Sequence, residues 1–420
     1  MGRITLGLGS NLGDRRAHLE DALRRVQALL PARPLRVSPV YETPALLPPG
    51  APSEWDRAYL NIAAEGEGAM APAELLAALK SVESAMGRDA RDRWAPRPID
   101  IDIVRWEGVA VATEALTIPH PSWDERAFVL DPLKDLDPSP ELLARARRHP
   151  RHAPVWMAIL NVTPDSFSDG GRFRAPADLE AHLDAIEPCA GIVDVGAEST
   201  RPGARMLSWE EEWARLEPVL ARLRARAAGR MLAPRVSVDT RHAESARRAL
   251  AAGATIVNDV SGAGEPALLD AVAAAGADYV LMHSLTIPAD PKRTLARDAD
   301  VMAELLAWFE GKLAALAAAG IPPARTILDP GIGFGKTSVQ SEAILRNLDA
   351  LAAFPCRILV GHSRKSFLRA ISPVPAAERD LESIGVSLRL PGRGADILRV
   401  HDPVAHHRAY MGWSVVSPVT

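Results

Sequence analysis

The chain has 420 residues, of which 47% are hydrophobic and 24% charged, with a formal net charge of −4. That length exceeds what one compact core usually holds, and the composition excludes a polybasic nucleic-acid surface, an acidic tail and extended disorder. Two cysteines, Cys189 and Cys356, offer no disulfide framework or paired metal motif, and no apolar run approaches the roughly 20 residues that span a bilayer.

The start, Met1-Gly2-Arg3-Ile4-Thr5, enters a strand directly without a signal-peptide pattern, so a cytoplasmic protein with no nucleic-acid or membrane partner is expected. Ile4 to Gly9 reads as a strand, and Leu19, Leu23, Val26 and Leu30 at helical spacing read as the helix after it. The glycines of Gly7-Leu8-Gly9-Ser10-Asn11-Leu12-Gly13 miss the G-x-G-x-x-G spacing by one position. A tight turn capped by Asp14 is expected there, not a dinucleotide loop. Leu35 to Thr43 and Tyr59 to Ala64 read as strands around a Pro-rich loop. Leu75, Leu76, Leu79 and Val82 mark a second amphipathic helix ending at Gly87.

In Ile99-Asp100-Ile101-Asp102-Ile103, strand alternation sets the isoleucines on one face and both aspartates on the other, about 7 Å apart. Like charges so placed repel unless a cation sits between them. A solvated sheet face is the commoner fate of such residues. Arg88, Arg91, Arg93 and Arg97 just upstream support another reading, a magnesium-bound polyphosphate with guanidinium forks on the phosphates and aspartates on the metal. On the residues alone both readings stand.

From Lys134 to Pro154 the chain is charged and Pro-rich, expected as a solvated helix and linker. Residues 138–153 would then separate a first domain, 1–137, from a second, 154–420. Strand candidates beyond it are Val155–Asn161, Gly191–Val195, Arg235–Asp239, Thr255–Asp259, Asp278–Met282, Arg325–Asp329, Arg357–Gly361 and Asp396–Val400, alternating with helical patterns. Eight such units predict an α/β (β/α)8 TIM barrel. Polar residues gather where these strands end: Asn161, Glu198 to Arg201, Asp239, Asn258, Asp259, His283, Asp329, Ser363 to Lys365, Arg399 and His401. That carboxyl-end face carries the active site in barrels. Asp329-Pro330-Gly331 fails a Walker A reading because proline stands where glycine is required. A carboxylate at Asp329 suits an amino-pyrimidinone edge, with Asn258 and Lys365 completing the set, and Arg399 with His401 suits an anion.

These motifs carry a resemblance. Gly9-Ser10-Asn11-Leu12-Gly13, Tyr41-Glu42-Thr43-Pro44, Tyr59-Leu60-Asn61, Arg93-Trp94-Ala95-Pro96-Arg97 with Asp100 and Asp102, and Pro119-His120 before Arg126-Ala127-Phe128 resemble 6-hydroxymethyl-7,8-dihydropterin pyrophosphokinases. The barrel half resembles dihydropteroate synthases through Asn161 to Gly171, Asp194 to Gly203, Ser237 to Thr240, Asn258 to Gly262, Asp329 to Gly331, Ser363 to Ser366 and Arg399 to Asp402. Together they look like the fused enzyme of folate biosynthesis.

The resemblance implies a ferredoxin-like α+β first domain that transfers pyrophosphate from ATP, with Mg2+, to the pterin alcohol. Asp100 and Asp102 would hold the metal; Arg88, Arg93, Arg97, His120 and Arg126 the nucleotide; Thr43, Pro44, Asn61, Trp94 and Phe128 the pterin. For the barrel it implies condensation of that product with p-aminobenzoate. Asp239, Asn258, Asp329 and Lys365 would bind the pterin; Asn161, Arg399 and His401 the pyrophosphate with its magnesium; Thr200, Arg201, Pro202, Phe334 and Ser366 the p-aminobenzoate. Asp239 would also stabilise positive charge developing on the pterin. Sulfonamides are implied as competitors, and a homodimer through the barrel as the assembly. The alternatives are a non-catalytic pterin-binding barrel and a corrinoid methyltransferase-type pterin domain. Departures from the family pattern are a Gly87–Trp94 loop one residue short, Ser284-Leu285 after His283, and His362 before Ser363.

Overall fold

A central strand made of Ile4, Leu6 and Leu8 on one face and Thr5, Gly7 and Gly9 on the other organises the first half of the molecule. In the computed structural model, which describes residues 2–89, 94–162, 176–198, 205–290 and 292–417, this strand is β1 (Arg3–Ser10). β2 (Arg36–Val37), β3 (Tyr41–Thr43), β4 (Tyr59–Glu67) and β5 (Asp100–Trp106) complete an antiparallel sheet in which β1 lies between β4 and β5, with β2 and β3 on the far edge of β4. Leu6, Leu8, Ile62, Ile99, Ile101 and Ile103 bury the apolar face under the helices Arg15–Leu29 and Pro72–Ala85. Asp14 caps the first of these by accepting from Ala17 N at 3.0 Å.

The single strand expected from Leu35 to Thr43 is two short ones. Pro39 has no N–H to give, and Ser38 fills the gap: its N–H donates to Ala63 O and its hydroxyl accepts from Ala63 N, each at 2.9 Å. A further hairpin, β6 (Val111–Ala112) with β7 (Thr117–Ile118), follows.

The stretch expected as a solvated linker is packed instead. Leu142, Leu143 and Ala146 recur at helical spacing on Pro140–Arg148, and the arginines occupy the other face. Leu142 and Ala146 bury against Leu130, Leu133 and Leu136 of the helix Ala127–Leu136. Lys134, read as part of that solvated stretch, is 0% exposed. Its ammonium donates to Asp131 Oδ1 at 3.2 Å and to the Tyr41 hydroxyl at 3.0 Å. Asp131 also meets His152 Nδ1 at 2.6 Å and accepts from Ala153 N at 2.9 Å. Burial alone would raise the Asp131 carboxyl, yet Lys134, His152 and the Ala153 N–H hold it below the usual range. A depressed carboxylate lends stability above its unfolded pKa and loses it as pH falls through the folded one. Asp131→Asn is therefore expected to cost about 3 kcal/mol at pH 7, and less at pH ~2.5, inside the window below the unfolded value where the carboxylate is progressively lost, in urea unfolding. An equal loss at both pH values would sink this account.

Two compact units result: Met1–Ala153 with Gly229–Leu232 and Met411–Thr420, and Pro154–Ala228 with Ala233–Tyr410. The second is built on β8 (Val155–Asn161), β9 (Ala190–Gly196), β10 (Arg235–Asp239), β11 (Ile256–Asp259), β12 (Asp278–Met282), β13 (Thr326–Asp329), β14 (Arg357–Val360) and β15 (Ile397–Val400). All are parallel and close into a barrel in the order β10-β11-β12-β13-β14-β15-β8-β9. Every strand end lies within one residue of the sequence expectation. Continuous apolar runs bounded by polar residues leave little freedom in placing such strands. Among the described residues, no helix is long and apolar enough to cross a membrane.

Candidate active sites

In the first unit, strand register assembles the site. Gly9 lies opposite Asp100 on one side and Asn61 on the other, and Gly7 lies opposite Asp102. The two aspartates thus border a strip where β1 presents no side chain. A Cβ at Gly9 would press on Asn61 Oδ1 at 3.1 Å. Gly7 and Gly9 sit in the strand read over Ile4 to Gly9, and the tight turn comes at Gly13, whose φ is +65°. Bare backbone beside carboxylates leaves a cradle for a ligand.

Arg88 donates to Asp100 and Glu83, and Arg97 Nη1 donates to Asp100 Oδ2 at 3.3 Å. Asn11 holds the Arg97 backbone, accepting its N–H at 2.7 Å and donating to its carbonyl at 3.2 Å. Crowding by surrounding protein and then the Asp100 charge push the Asp102 carboxyl above the ordinary range. Across the strip, Asn61 Nδ2 donates to Thr43 Oγ1 at 2.9 Å, and Pro44 follows at the end of β3. The Arg126 guanidinium lies 5.7 Å from the centre of the Phe128 ring. His120 donates its N–H to Val104 O on β5, and Trp94 is 39% exposed. Arg91 and Arg93 lie outside the described residues.

In the barrel, Asp194 on β9 is a fully buried hub. It accepts from Arg399 Nε at 2.6 Å, Asn258 Nδ2 at 3.1 Å and Ser237 Oγ at 2.5 Å. Arg399 Nη2 donates to Asp239 Oδ2 at 2.8 Å. The arginine expected to face a leaving anion is thereby joined to the pterin-side residues in one cluster. Burial raises the Asp239 carboxyl to about 7, with Asp194 adding to the shift and Arg399 opposing it. Burial also raises Asp329, whose Oδ1 accepts from Gly331 N at 2.7 Å.

Lys365 Nζ stands 4.3 Å from the centre of the Phe334 ring. Ser363 Oγ accepts the His401 N–H at 3.4 Å and lies 3.0 Å from Nδ1. Burial, with Arg364, Arg399 and Lys365, pushes His401 down to about 3, so the imidazole beside Arg399 is neutral at pH 7. Asn161 is exposed at the end of β8, and Ser366 is exposed at the start of the short helix Ser366–Ala370. Thr200, Arg201 and Pro202 lie outside the described residues.

Residues 5–138 match the family model of 7,8-dihydro-6-hydroxymethylpterin-pyrophosphokinase, and residues 157–401 match that of pterin binding enzymes. The folate synthesis bifunctional protein of Chlamydia trachomatis is 36% identical over 97% of this chain and 96% of its own length. The chain belongs to the bifunctional folate-synthesis family. The dihydropteroate synthase of Xanthomonas albilineans, solved with 4-aminobenzoic acid, is 38% identical with a TM-score of 0.57, covering 63% of this chain and 94% of that one. The dihydropteroate synthase of Anaplasma phagocytophilum, solved with 6-hydroxymethylpterin-monophosphate, is 34% identical with a TM-score of 0.55, covering 63% and 98%.

Several residues of the folate-synthesis sites escaped the sequence reading. In the pyrophosphokinase half Glu83 anchors Arg88 and accepts from Ile101 N at 2.7 Å. Leu75, Leu79 and Glu83 share the buried stripe of one helix, and a carboxylate on that stripe was the available signal. In the barrel Lys336 is buried, donating to the carbonyls of His283, Gly331 and Phe334 at 3.0–3.1 Å with His283 Nδ1 2.7 Å away. It ties the Asp329–Phe334 loop to the end of β12.

Gly331 in that loop has φ +67°, and a Cβ there would fall inside van der Waals contact of the His283 carbonyl. Gly331→Ala is expected to lower dihydropteroate formation at least about tenfold while AMP release stays within about twofold. Equal loss of both activities would contradict it. Glu198, Glu212 and His242 also lie close enough to share an ion. Arg241 on Glu198, Thr240 on Glu212 and Leu207 O on His242 already engage each of them.

Proposed function

We propose that this chain carries out two consecutive steps of folate synthesis. The first half moves pyrophosphate from ATP to 6-hydroxymethyl-7,8-dihydropterin and releases AMP, and the barrel joins that product to p-aminobenzoate to give 7,8-dihydropteroate and pyrophosphate. The observation that carries the reading is the coexistence of two donor sets in one family member: Asp100 and Asp102 beside the bare Gly7–Gly9 strip, and Asp329, Lys365 and Phe334 beside the Asp239–Arg399 cluster.

In the first half the oxygen-only donors Asp100 and Asp102, the latter raised by crowding and then by the charge of the former, fit Mg2+. Bound there, the ion would neutralise phosphate charge. Arg88, Arg93, Arg97, His120 and Arg126 hold the ATP phosphates in this reading, while Asn61 and Thr43 bond the pterin, Pro44 borders it, and Trp94 and Phe128 stack on it. Positioning and charge neutralisation then supply most of the acceleration.

In the barrel Asn258, Asp329 and Lys365 bind the pterin edge. Asn161, Arg399 and His401 receive the departing pyrophosphate, with Asn161 also a ligand for its magnesium. The amine of p-aminobenzoate, held by Phe334, Ser366 and Thr200-Arg201-Pro202, attacks the methylene carbon as that group leaves. Asp239 stabilises the positive charge that develops on the pterin. Sulfonamides, which share the aniline of p-aminobenzoate, are competitors in this reading, and the barrel forms a homodimer that sedimentation would detect. In this reading the chain passes from the pyrophosphokinase domain, 1–137, to the synthase domain, 154–420, through residues 138–153.

Purified protein mixed with the dihydropterin, ATP, magnesium and p-aminobenzoate should yield AMP and dihydropteroate together by mass spectrometry. AMP alone, even when the pyrophosphorylated pterin is supplied, would replace the synthase with the non-catalytic barrel. That alternative and the corrinoid-type domain are not favoured, given relatives that are dihydropteroate synthases over 94–98% of their length.

A further inference from the structure

The short loop after β14 holds an unusual backbone. Arg364, between Ser363 and Lys365, has φ +60°, a left-handed conformation that side chains with a Cβ rarely adopt. Such a residue persists only when its surroundings over-determine it. Here one neighbouring segment does so from every side. The Arg364 N–H donates to Ser383 Oγ at 2.9 Å, and the Arg364 carbonyl accepts from Arg379 Nη1 at 3.5 Å. The guanidinium is bidentate on Asp380, Nε to Oδ1 and Nη2 to Oδ2, both at 2.7 Å. Ser383 is fixed in turn by donating to Arg379 O at 2.6 Å. His362, where the family pattern has a small or apolar residue, adds another anchor: its Nε2 lies 2.8 Å from Ser387 Oγ and 3.1 Å from Ser383 O. All of these partners lie on or just before the helix Asp380–Arg389.

We propose that Arg364 and Asp380 are positioning residues of the synthase, which hold the left-handed turn that aims Lys365 across the Phe334 ring. Both hydrogen bonds of the guanidinium end on Asp380, with His401 within reach of the charges of the pair, and the pair acts on the reaction chiefly through the next residue. A planar fork matched to a carboxylate fixes direction as well as distance, which a lysine at 364 would not reproduce. The inference rests on the synthase reading above.

The test measures dihydropteroate formation from supplied pterin pyrophosphate and p-aminobenzoate, and pterin pyrophosphate affinity by pterin fluorescence. The variants are Arg364→Met, Arg364→Lys, Asp380→Asn, Lys365→Ala and Arg364→Met combined with Lys365→Ala. Arg364→Met and Asp380→Asn are each expected to lower kcat/KM and weaken pterin pyrophosphate binding by about tenfold, with Arg364→Lys recovering only part. In the Lys365→Ala background, Arg364→Met should change affinity less than about twofold, because the residue it positions is gone. A full further loss in that background, or unchanged kcat/KM in both Arg364→Met and Asp380→Asn, would overturn the proposal. Asp380→Asn keeps the side-chain shape and so stands in should Arg364→Met fail to fold. Failure of the synthase reading is separate: the unmodified protein would then form no dihydropteroate.

Discussion

Asp102→Ala is expected to lower AMP release about 10³-fold, or roughly 4 kcal/mol of transition-state stabilisation, and to leave the barrel's use of supplied pterin pyrophosphate within about twofold. The loss follows from charge: with one carboxylate removed, the strip beside Gly7 and Gly9 no longer carries the paired negative donors that a divalent ion needs. Stability should move the other way. The Asp102 carboxyl is raised in the folded state, so its ionised form opposes folding at neutral pH, and Asp102→Ala should melt no lower than the parent. Asp100 differs, because Arg88 and Arg97 both bond to it and its removal leaves two guanidinium groups short of a partner. If Asp102→Ala keeps more than a tenth of the parental AMP release, the assignment of this carboxylate to the metal fails.

Asp239→Asn is expected to reduce dihydropteroate formation by about 10²- to 10³-fold. The carboxyl is raised to about 7, so the active ionised form accumulates only as pH climbs through that value. The parent's kcat/KM for the barrel reaction should therefore fall on the acid side of about 7, and that limb should vanish in the variant. Stability gives an independent check of sign. A carboxyl whose folded pKa lies above its unfolded value of 3.8 opposes folding increasingly between the two, and in full above about 7. The asparagine should thus raise the melting temperature more at pH 8 than at pH 4, while Arg399 keeps its bond to Asp194. An unchanged acid limb in the variant would remove Asp239 from the mechanism, and a stability gain larger at pH 4 would reverse the sign of the linkage.

The barrel strands were legible because a parallel sheet buried on both faces demands continuous apolar runs, and the polar residue that ends each run marks the active face. The same logic sets Asp100 and Asp102 on one face of β5, since alternation in a strand is a local property. Local patterning failed where burial came from elsewhere in the chain. Lys134 to Pro154 read as a solvated stretch, yet Lys134 is buried by Tyr41, Asp131 and Ala153, which meet only in the folded unit. Pro39 broke an expected strand for a local reason that was visible, but the Ser38 repair depends on β4 lying alongside.

By itself, the sequence determined the two-part architecture, the closed barrel and most of the donor inventory, because periodicity and the order of strand and helix are encoded within short windows. Only the tertiary structure decided which charges face each other. Asp194 became the hub for Arg399 and Asn258, Glu83 the anchor of Arg88, and Lys336 the clasp on the Gly331 loop. Arg364 was set in a left-handed turn by a helix that begins sixteen residues later in the chain, at Asp380. Ion pairs and hydrogen bonds act over a few ångströms of space, and separation along the chain carries no record of that distance.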